Sequence, residues 1–435
     1  MIDNIDIQGL MEAAQKVLHA NDLGRSTKPA PTLYPHQWNW DSAFIAIGLS
    51  HFDENRAQLE INTLLSAQWQ NGLIPHIVFN PDASDYHPGP SYWQTEIPEV
   101  PCNLQTSGIT QPPLLAYAAL EVYKNARDKE NALEFLRQTY PPLLAQSEFL
   151  VQQRSPDNDG LAFICHPWES GMDNSPCWDI PLNNFEMDFK PDFMRKDKKN
   201  IPANQRPSDD EYTRYSYLVQ RYGQTGWNQQ QIFDLKLFQV QSILFNVLHQ
   251  KSLQALSEIA GLLGESSATT DQMISQVTNS FETRLWDEPS KRYLNLDLKT
   301  NQLIHTDNIN QFLPLFANIP TPVRADTLIK RLDSADFWSN HGWGISTQAH
   351  SSDVYDQVCY WRGPVWINMN WMIIKGLESY GYSDLAAKLA HQTLELVVKH
   401  GFFEYFNPET GQGLGSDSFS WTAALVLDLI AEGYA

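Results

Sequence analysis

A chain of 435 residues with 51 Asp and Glu against 30 Lys and Arg carries a formal net charge of −21, which excludes nucleic acid or another polyanion as its main partner. Four cysteines, Cys102, Cys165, Cys177 and Cys359, form no Cys-x-x-Cys pair; they exclude a disulfide scaffold and predict a reducing, cytoplasmic setting. No apolar run approaches the ~20 residues of a membrane span, and the amino terminus carries acid where a secretory leader carries base.

Apolar residues recur at helical spacing over roughly 7–20, 41–50, 57–70, 111–125, 131–154, 210–222, 228–249, 251–264 and 269–285, then 325–333, 364–379, 384–399 and 420–433. So many mid-length helices, with few alternating stretches that would suggest strands, predict an all-α fold, and their count suits an (α/α)6 toroid. No segment has linker composition, so one catalytic domain is expected over 1–435.

Between the helices lie segments of roughly 71–109, 155–208, 286–308, 335–362 and 400–418, rich in Pro, Gly, Asn, Asp and aromatic residues. Loops of this length in a compact domain usually carry function, and together they are expected to form one binding face, with 71–109 and 155–208 covering a pocket. The stretch 195–205 is the most polar and suits either a lid or a solvated loop. Fourteen tryptophans offer flat apolar faces suited to sugar rings, although a large core consumes tryptophan too.

Hydrolysis of a glycosidic bond needs one carboxylic acid to protonate the departing oxygen and one carboxylate to activate water, about 6.5–9.5 Å apart when the configuration inverts. An acid keeps its proton near neutrality where burial or a neighbouring charge raises its pKa, so acids within aromatic loops are the better candidates. Two stretches qualify. His166-Pro-Trp-Glu-Ser-Gly-Met-Asp-Asn-Ser-Pro-Cys-Trp-Asp179 sets three acids among two tryptophans, and Phe402-Phe-Glu-Tyr-Phe-Asn-Pro408 encloses one acid among aromatic rings.

Glu169-Ser-Gly-Met-Asp-Asn-Ser-Pro176 resembles the acid motif of glycoside hydrolase family 63, whose Glu-Ser-Gly-x-Asp core is shared by related (α/α)6 enzymes such as trehalases. The resemblance implies Asp173 as general acid, leaving Glu169 a structural or hydroxyl-binding role. The Phe-Glu-Tyr segment, followed by Asn-Pro-Glu-Thr-Gly and by Phe419-Ser-Trp-Thr422, is similar to the family's general-base region and implies Glu404. Glu409, in a turn sequence, is its rival.

Three further stretches carry the resemblance. Tyr34-Pro-His-Gln-Trp-Asn-Trp-Asp-Ser-Ala-Phe44 resembles the frame of the glycone subsite, with Tyr34, Trp38 and Asp41 on the sugar; the alternative for Asp41 is a helix cap. Tyr360-Trp-Arg-Gly-Pro-Val-Trp366 matches the family's Trp-Arg-Gly-Pro-x-Trp pattern and implies sugar contacts for Tyr360 and Trp366, with Arg362 structural or paired to a site carboxylate. Gln68-Trp-Gln-Asn-Gly-Leu-Ile-Pro-His76 also looks like family sequence, its residues undivided between packing and contact.

The matches run from 34 to 422, and the length and motif set resemble the family's bacterial mannosylglycerate and glucosylglycerate hydrolases. That resemblance implies exo-acting, inverting release of glucose or mannose from a small compatible-solute glycoside. It also implies a clamp for the glycerate carboxylate at Arg206 and Tyr212, with Arg214 a competitor, and further contacts at Tyr86 and Gln111. No cofactor and no metal are expected. Ser155-Pro-Asp-Asn-Asp-Gly160 lacks EF-hand spacing, and His76, His87 and His166 lack metal-ligand spacing.

The partner is then a small-molecule sugar, with a homo-oligomer neither required nor excluded. The competing readings are an α-glucosidase of the same fold acting on glucosylglycerol, trehalose or a short α-glucan, an (α/α)6 lyase or epimerase working through His or Tyr bases, and a silent sugar-binding protein.

Overall fold

The computed structural model describes residues 6–83, 86–199, 201–338 and 342–434. The first five residues, and Asn200 within the polar 195–205 stretch, lie outside it. Helices of eight or more residues are numbered in chain order: α1 Ile7–Ala20, α2 Asn39–Ser50, α3 Glu54–Leu65, α4 Leu115–Asn125, α5 Lys129–Gln153, α6 Asp209–Gly223, α7 Ile243–Leu263, α8 Ala268–Ser280, α9 Pro322–Leu332, α10 Ile367–Ser379, α11 Ser383–His400 and α12 Ser420–Ala431.

Two sorts of helix follow from the sequence. Every residue of α2 (NWDSAFIAIGLS) is buried, as is all of the 3₁₀ segment Ile309–Ala317 (INQFLPLFA) and nearly all of α12 (SWTAALVLDLIA). Helices that are apolar around their whole circumference belong inside. By contrast, α1 and α9 bury only one stripe, Leu10, Ala14 and Leu18 in the first and Ala325, Leu328, Ile329 and Leu332 in the second.

The buried elements close a ring. α2 packs on α4, α4 on α7, α7 on the 3₁₀ segment, that segment on α10, α10 on α12, and α12 back on α2. Each carries an outer partner, α3, α5, α8, α9, α11 and α1 respectively. The fold is therefore an (α/α)6 toroid.

The helices differ most from the sequence reading in two places, beyond shifts of a few residues at several ends. The expected pair 228–249 and 251–264 is instead a short helix Gln229–Asp234, capped by Asn228, and one continuous α7, capped by Ser242. Neither Gly nor Pro stands near 250 to break α7, whereas Val240–Gln241 leaves the helix to join a sheet. The sequence reading also passed over Ile309–Ala317, because its nine residues and internal Pro314 give no sustained helical period.

The long segments have structure of their own. Phe163–Ile164, Val240–Gln241, Leu296–Asp297 and Gln302–Leu303 form a four-stranded antiparallel sheet, and Tyr405–Phe406 pairs with Gly413–Leu414 as a hairpin. Beneath 71–109 and 155–238 lies a second apolar core, apart from the one inside the ring, built on Trp69, Trp93, Phe163, Trp178, Tyr215 and Trp227. Trp93, Trp178, Trp227, Trp361, Trp366 and Trp371 are fully buried, so most of the tryptophan excess serves packing.

Among the described residues no helix is long and apolar enough to cross a membrane.

Candidate active site

At the starts of α2 and α12 lies an open cavity of about 1080 Å³. Its walls include Tyr34, Trp38, Trp40, Asp41, His76, Tyr86, Gln111, Trp168, Asp173, Arg206, Tyr212, Tyr360, Glu404 and Trp421. Ten of the eleven site residues read from the sequence thus meet in one place. The exception is Trp366.

Trp366 is fully buried, stacked 3.6 Å from Trp361 and 4.7 Å from Tyr405. It supports Tyr405, the neighbour of Glu404, from behind and is not part of the cavity wall. Residue type favoured a sugar contact; only the packing of three distant rings decides which face of the strip the indole takes. Arg362 is likewise behind the wall, paired with both oxygens of Asp179 and with Glu211. Arg214 is engaged by Asp210 and the carbonyls of Leu182 and Phe185, which removes it as a rival of Arg206.

Glu404 enters the cavity at the start of the Tyr405–Phe406 strand. That strand is pinned by two backbone hydrogen bonds between Val365 and Phe406, which bring the Tyr360 strip alongside. The carboxylate is 1% exposed. Its Oε1 accepts from the hydroxyls of Tyr34 (2.8 Å) and Tyr360 (3.1 Å), and Oε2 from the Ser416 N–H (3.1 Å). Gly415, at φ +69°, permits this approach: a Cβ there would lie 2.4 Å from Oε2. Burial pushes the Glu404 pKa up, and Arg206, the Ser416 N–H and the two tyrosine hydroxyls work against that rise. Glu409 lies exposed in the Asn407–Gln412 turn, away from the cavity.

Asp173 stands on the opposite segment. The left-handed Gly171 (φ +74°) lets the loop pass Trp40, whose ring a Cβ would meet at 2.7 Å. Trp178 Nε1 donates to the Met172 carbonyl (2.7 Å) and the Tyr215 hydroxyl to the Asp173 carbonyl (2.6 Å), so the backbone on both sides of the turn is fixed. Burial pushes the Asp173 carboxyl up to about 7, against the pull of Arg206 and with the help of Glu404 and Asp197.

Glu169 anchors the same loop. Fully buried, it accepts both guanidinium nitrogens of Arg154 (2.9 and 3.0 Å) together with the N–H groups of Thr110 and Cys165. This is the structural role left open by the sequence. Arg154→Met would strand a buried carboxylate and is expected to cost roughly 3–5 kcal/mol, read as a lowered urea midpoint.

Asp41 is at the first turn of α2 and is 4% exposed, but the cap position belongs to Trp38. Burial first, then the charge of Glu404, holds its carboxyl well above the usual range. Gln111 serves both helix and cavity, since its Oε1 accepts from the Trp40 N–H at the start of α2 (3.2 Å) while the side chain lines the wall. Within the strip 68–76 the division is now plain. Trp69 donates to Thr106 in the second core, while His76 reaches the cavity, stacked on Trp168.

Arg206 is 9% exposed. Its Nε donates to Asp197 (3.2 Å), its Nη1 to the Tyr34 hydroxyl (3.3 Å), and its plane lies 4.3 Å from the Tyr360 ring. Tyr212 donates its hydroxyl to the His87 carbonyl (3.1 Å), and Tyr86 packs edge-on against His36 and Trp38.

Asn200 aside, the 195–205 stretch is anchored through Arg195. Arg195 binds both oxygens of Asp197 and the carbonyls of Pro207 and Ser208 ahead of α6, and its guanidinium covers the Tyr212 ring. Lys196, Asp197 and Lys199 line the cavity beside Arg206. The sequence reading missed all three, together with Trp40, Trp168 and Trp421; the signal for the three charged residues was the density of charge at 195–199.

Among the described residues no group of three or more His, Cys, Asp or Glu could hold a metal. Asp159, in the turn weighed as a calcium loop, pairs with Arg284 and Gln241.

The geometry has a counterpart among known proteins, because residues 34–422 match the family model described as the mannosylglycerate hydrolase MGH1-like glycoside hydrolase domain. The chain belongs to that family. It is a glycoside hydrolase of family 63. A mannosylglycerate hydrolase of Rubrobacter radiotolerans is 38% identical over 98% of each chain. A glucosylglycerate hydrolase of Mycolicibacterium hassiacum is 34% identical over 96% of this chain and 97% of its own. The crystal structure of a Thermus thermophilus mannosylglycerate hydrolase in complex with Tris and D-glycerate matches with a TM-score of 0.91 at 38% identity, over 96% of this chain and 99% of that one.

Proposed function

We propose that this glycoside hydrolase releases mannose or glucose from mannosylglycerate or glucosylglycerate, acting on the chain end and inverting the anomeric centre. The observation that carries the reading is one cavity in which an acid held near neutrality, Asp173, and a triply hydrogen-bonded carboxylate, Glu404, share a single buried guanidinium, Arg206.

In this mechanism Asp173 gives its proton to the glycosidic oxygen as the bond to the aglycone breaks. Glu404 takes a proton from the water that attacks the opposite face of the anomeric carbon. The asymmetry of the two environments supports the assignment, since three donors on Glu404 favour its ionised form. Asp41 accepts sugar hydroxyls, and Trp38 and Trp40 offer apolar ring faces. Arg206 meets the glycerate carboxylate through its Nη1–Nη2 end, the edge that Asp197 does not occupy, with Tyr212, Tyr86 and Gln111 beside it.

The deciding experiment is proton NMR of the first anomer released from mannosylglycerate, glucosylglycerate, glucosylglycerol and trehalose. The β-anomer from an α-linked glycerate is expected; the α-anomer would overturn inversion, and release from trehalose alone would overturn the aglycone. Arg206→Ala is expected to raise KM for the glycerate-bearing substrate by about 10–100-fold, and for a neutral aglycone much less. Equal losses on both would remove Arg206 from carboxylate binding.

A further inference from the structure

The clamp and the candidate base are joined by one phenol. Arg206 Nη1 donates to the Tyr34 oxygen (3.3 Å), and the Tyr34 hydroxyl spends its single proton on Glu404 Oε1 (2.8 Å). Tyr34 is held in this position by edge-on contacts with Trp38 (5.3 Å) and Phe419 (6.0 Å), and the Tyr360 hydroxyl, the second donor to Oε1, lies 3.4 Å from its own. A cationic donor on the phenol oxygen polarises its O–H, so the chain strengthens the hydrogen bond into Glu404 and lowers the basicity of that carboxylate.

From this connection we propose that Tyr34 is a positioning residue through which an aglycone carboxylate, docked on Arg206, controls turnover: Arg206, Tyr34 and Glu404 form a relay that makes aglycone charge a determinant of kcat as well as of KM. The proposal rests on the glycerate reading given above. A carboxylate on the Nη1–Nη2 end draws the guanidinium charge toward itself and relaxes its hold on the Tyr34 oxygen. Glu404 then becomes the stronger base, while Asp173, which also feels Arg206, keeps its proton to higher pH. A neutral aglycone leaves the relay under full tension.

Other charges face this group: Asp41 from α2, Asp173 from the acid loop, Lys196, Asp197 and Lys199 from the tied segment with Arg195 behind Asp197, and the hydroxyls of Tyr34 and Tyr360. All are shared by two substrates with the same glucosyl unit, glucosylglycerate and glucosylglycerol, whose aglycones differ in bearing a carboxylate or a hydroxymethyl group. The intrinsic difference between the two leaving groups is the same in every variant, so the change in their kcat ratio on removing the Tyr34 hydroxyl isolates the relay.

The experiment measures kcat and KM for both substrates across pH in the wild-type enzyme, Tyr34→Phe and Arg206→Lys. In the wild type, kcat is expected to favour the glycerate by about 10-fold or more, with both limbs of its kcat profile at higher pH than for the neutral substrate. Tyr34→Phe should bring the kcat ratio to within about 2-fold while the KM preference persists, because the clamp remains. Arg206→Lys keeps a cation but not the planar fork that spans carboxylate and phenol, so it too should lose the kcat preference and retain part of the KM preference, an independent reading if Tyr34→Phe folds poorly. A kcat preference that both variants preserve overturns the relay alone. A wild-type enzyme without any kcat preference overturns the relay, and one without a KM preference either overturns the glycerate reading with it.

Discussion

Asp173→Asn is expected to lower kcat by about 10²–10⁴ on a glycoside with a poor leaving group, and by far less on an aryl glycoside whose phenolate departs without a proton. The substitution keeps size and polarity, and the turn it sits in is held by backbone contacts from Trp178 and Tyr215, so the fold should survive. The pH dependence follows from the same residue. Asp173 acts only when protonated, and burial pushes it up to about 7, so kcat/KM in the wild type should fall as pH rises through that value. The variant should lose this alkaline limb. A wild-type profile flat well into alkali would move the acid elsewhere.

Glu404→Gln is the second large effect, a loss in kcat of about 10³ or more. The amide oxygen can still accept from Tyr34 and Tyr360, and only the Ser416 N–H loses its acceptor, so KM should change little. The distinguishing measurement is chemical rescue. Azide needs no base, and if Glu404 serves only to activate water it should restore aglycone release and give the β-configured glycosyl azide. An α-configured azide, or no rescue in a variant that still binds substrate, would sink the assignment of Glu404 as base. The two variants also separate by leaving group, since only Asp173→Asn should respond to an activated aglycone.

Much of this site was legible in the chain because its parts are encoded locally. Gly171 and Gly415 need left-handed backbone beside bulky neighbours, and the residues around them are the turn sequences that bring Asp173 and Glu404 to the cavity. The helical period likewise located the elements of the double ring apart from Ile309–Ala317, although it divided α7 in two, since amphipathic and wholly apolar helices have different burial by composition alone. Where the reading failed, the local signal was weak or shared. Ile309–Ala317 is short and contains proline, so nothing in its spacing reveals that it completes the inner ring. Trp366 has the residue type of a sugar platform and the position of a buttress. Asp197 reads as one charge in a polar stretch, yet it fixes one edge of Arg206.

Fold class, family and the two candidate acids could all be read from the chain alone, because they depend on periodicity and on short motifs whose residues are neighbours in sequence. Which side chains share the cavity, and with what charge, depends instead on how the ring closes. Tyr34 and Glu404 are 370 residues apart and meet because α12 closes on α2; Asp173 and Arg206 reach the same cavity from segments bound to different parts of the rim. Burial and mutual electrostatics exist only after that closure, and they hold one acid near neutrality while surrounding the other with three donors.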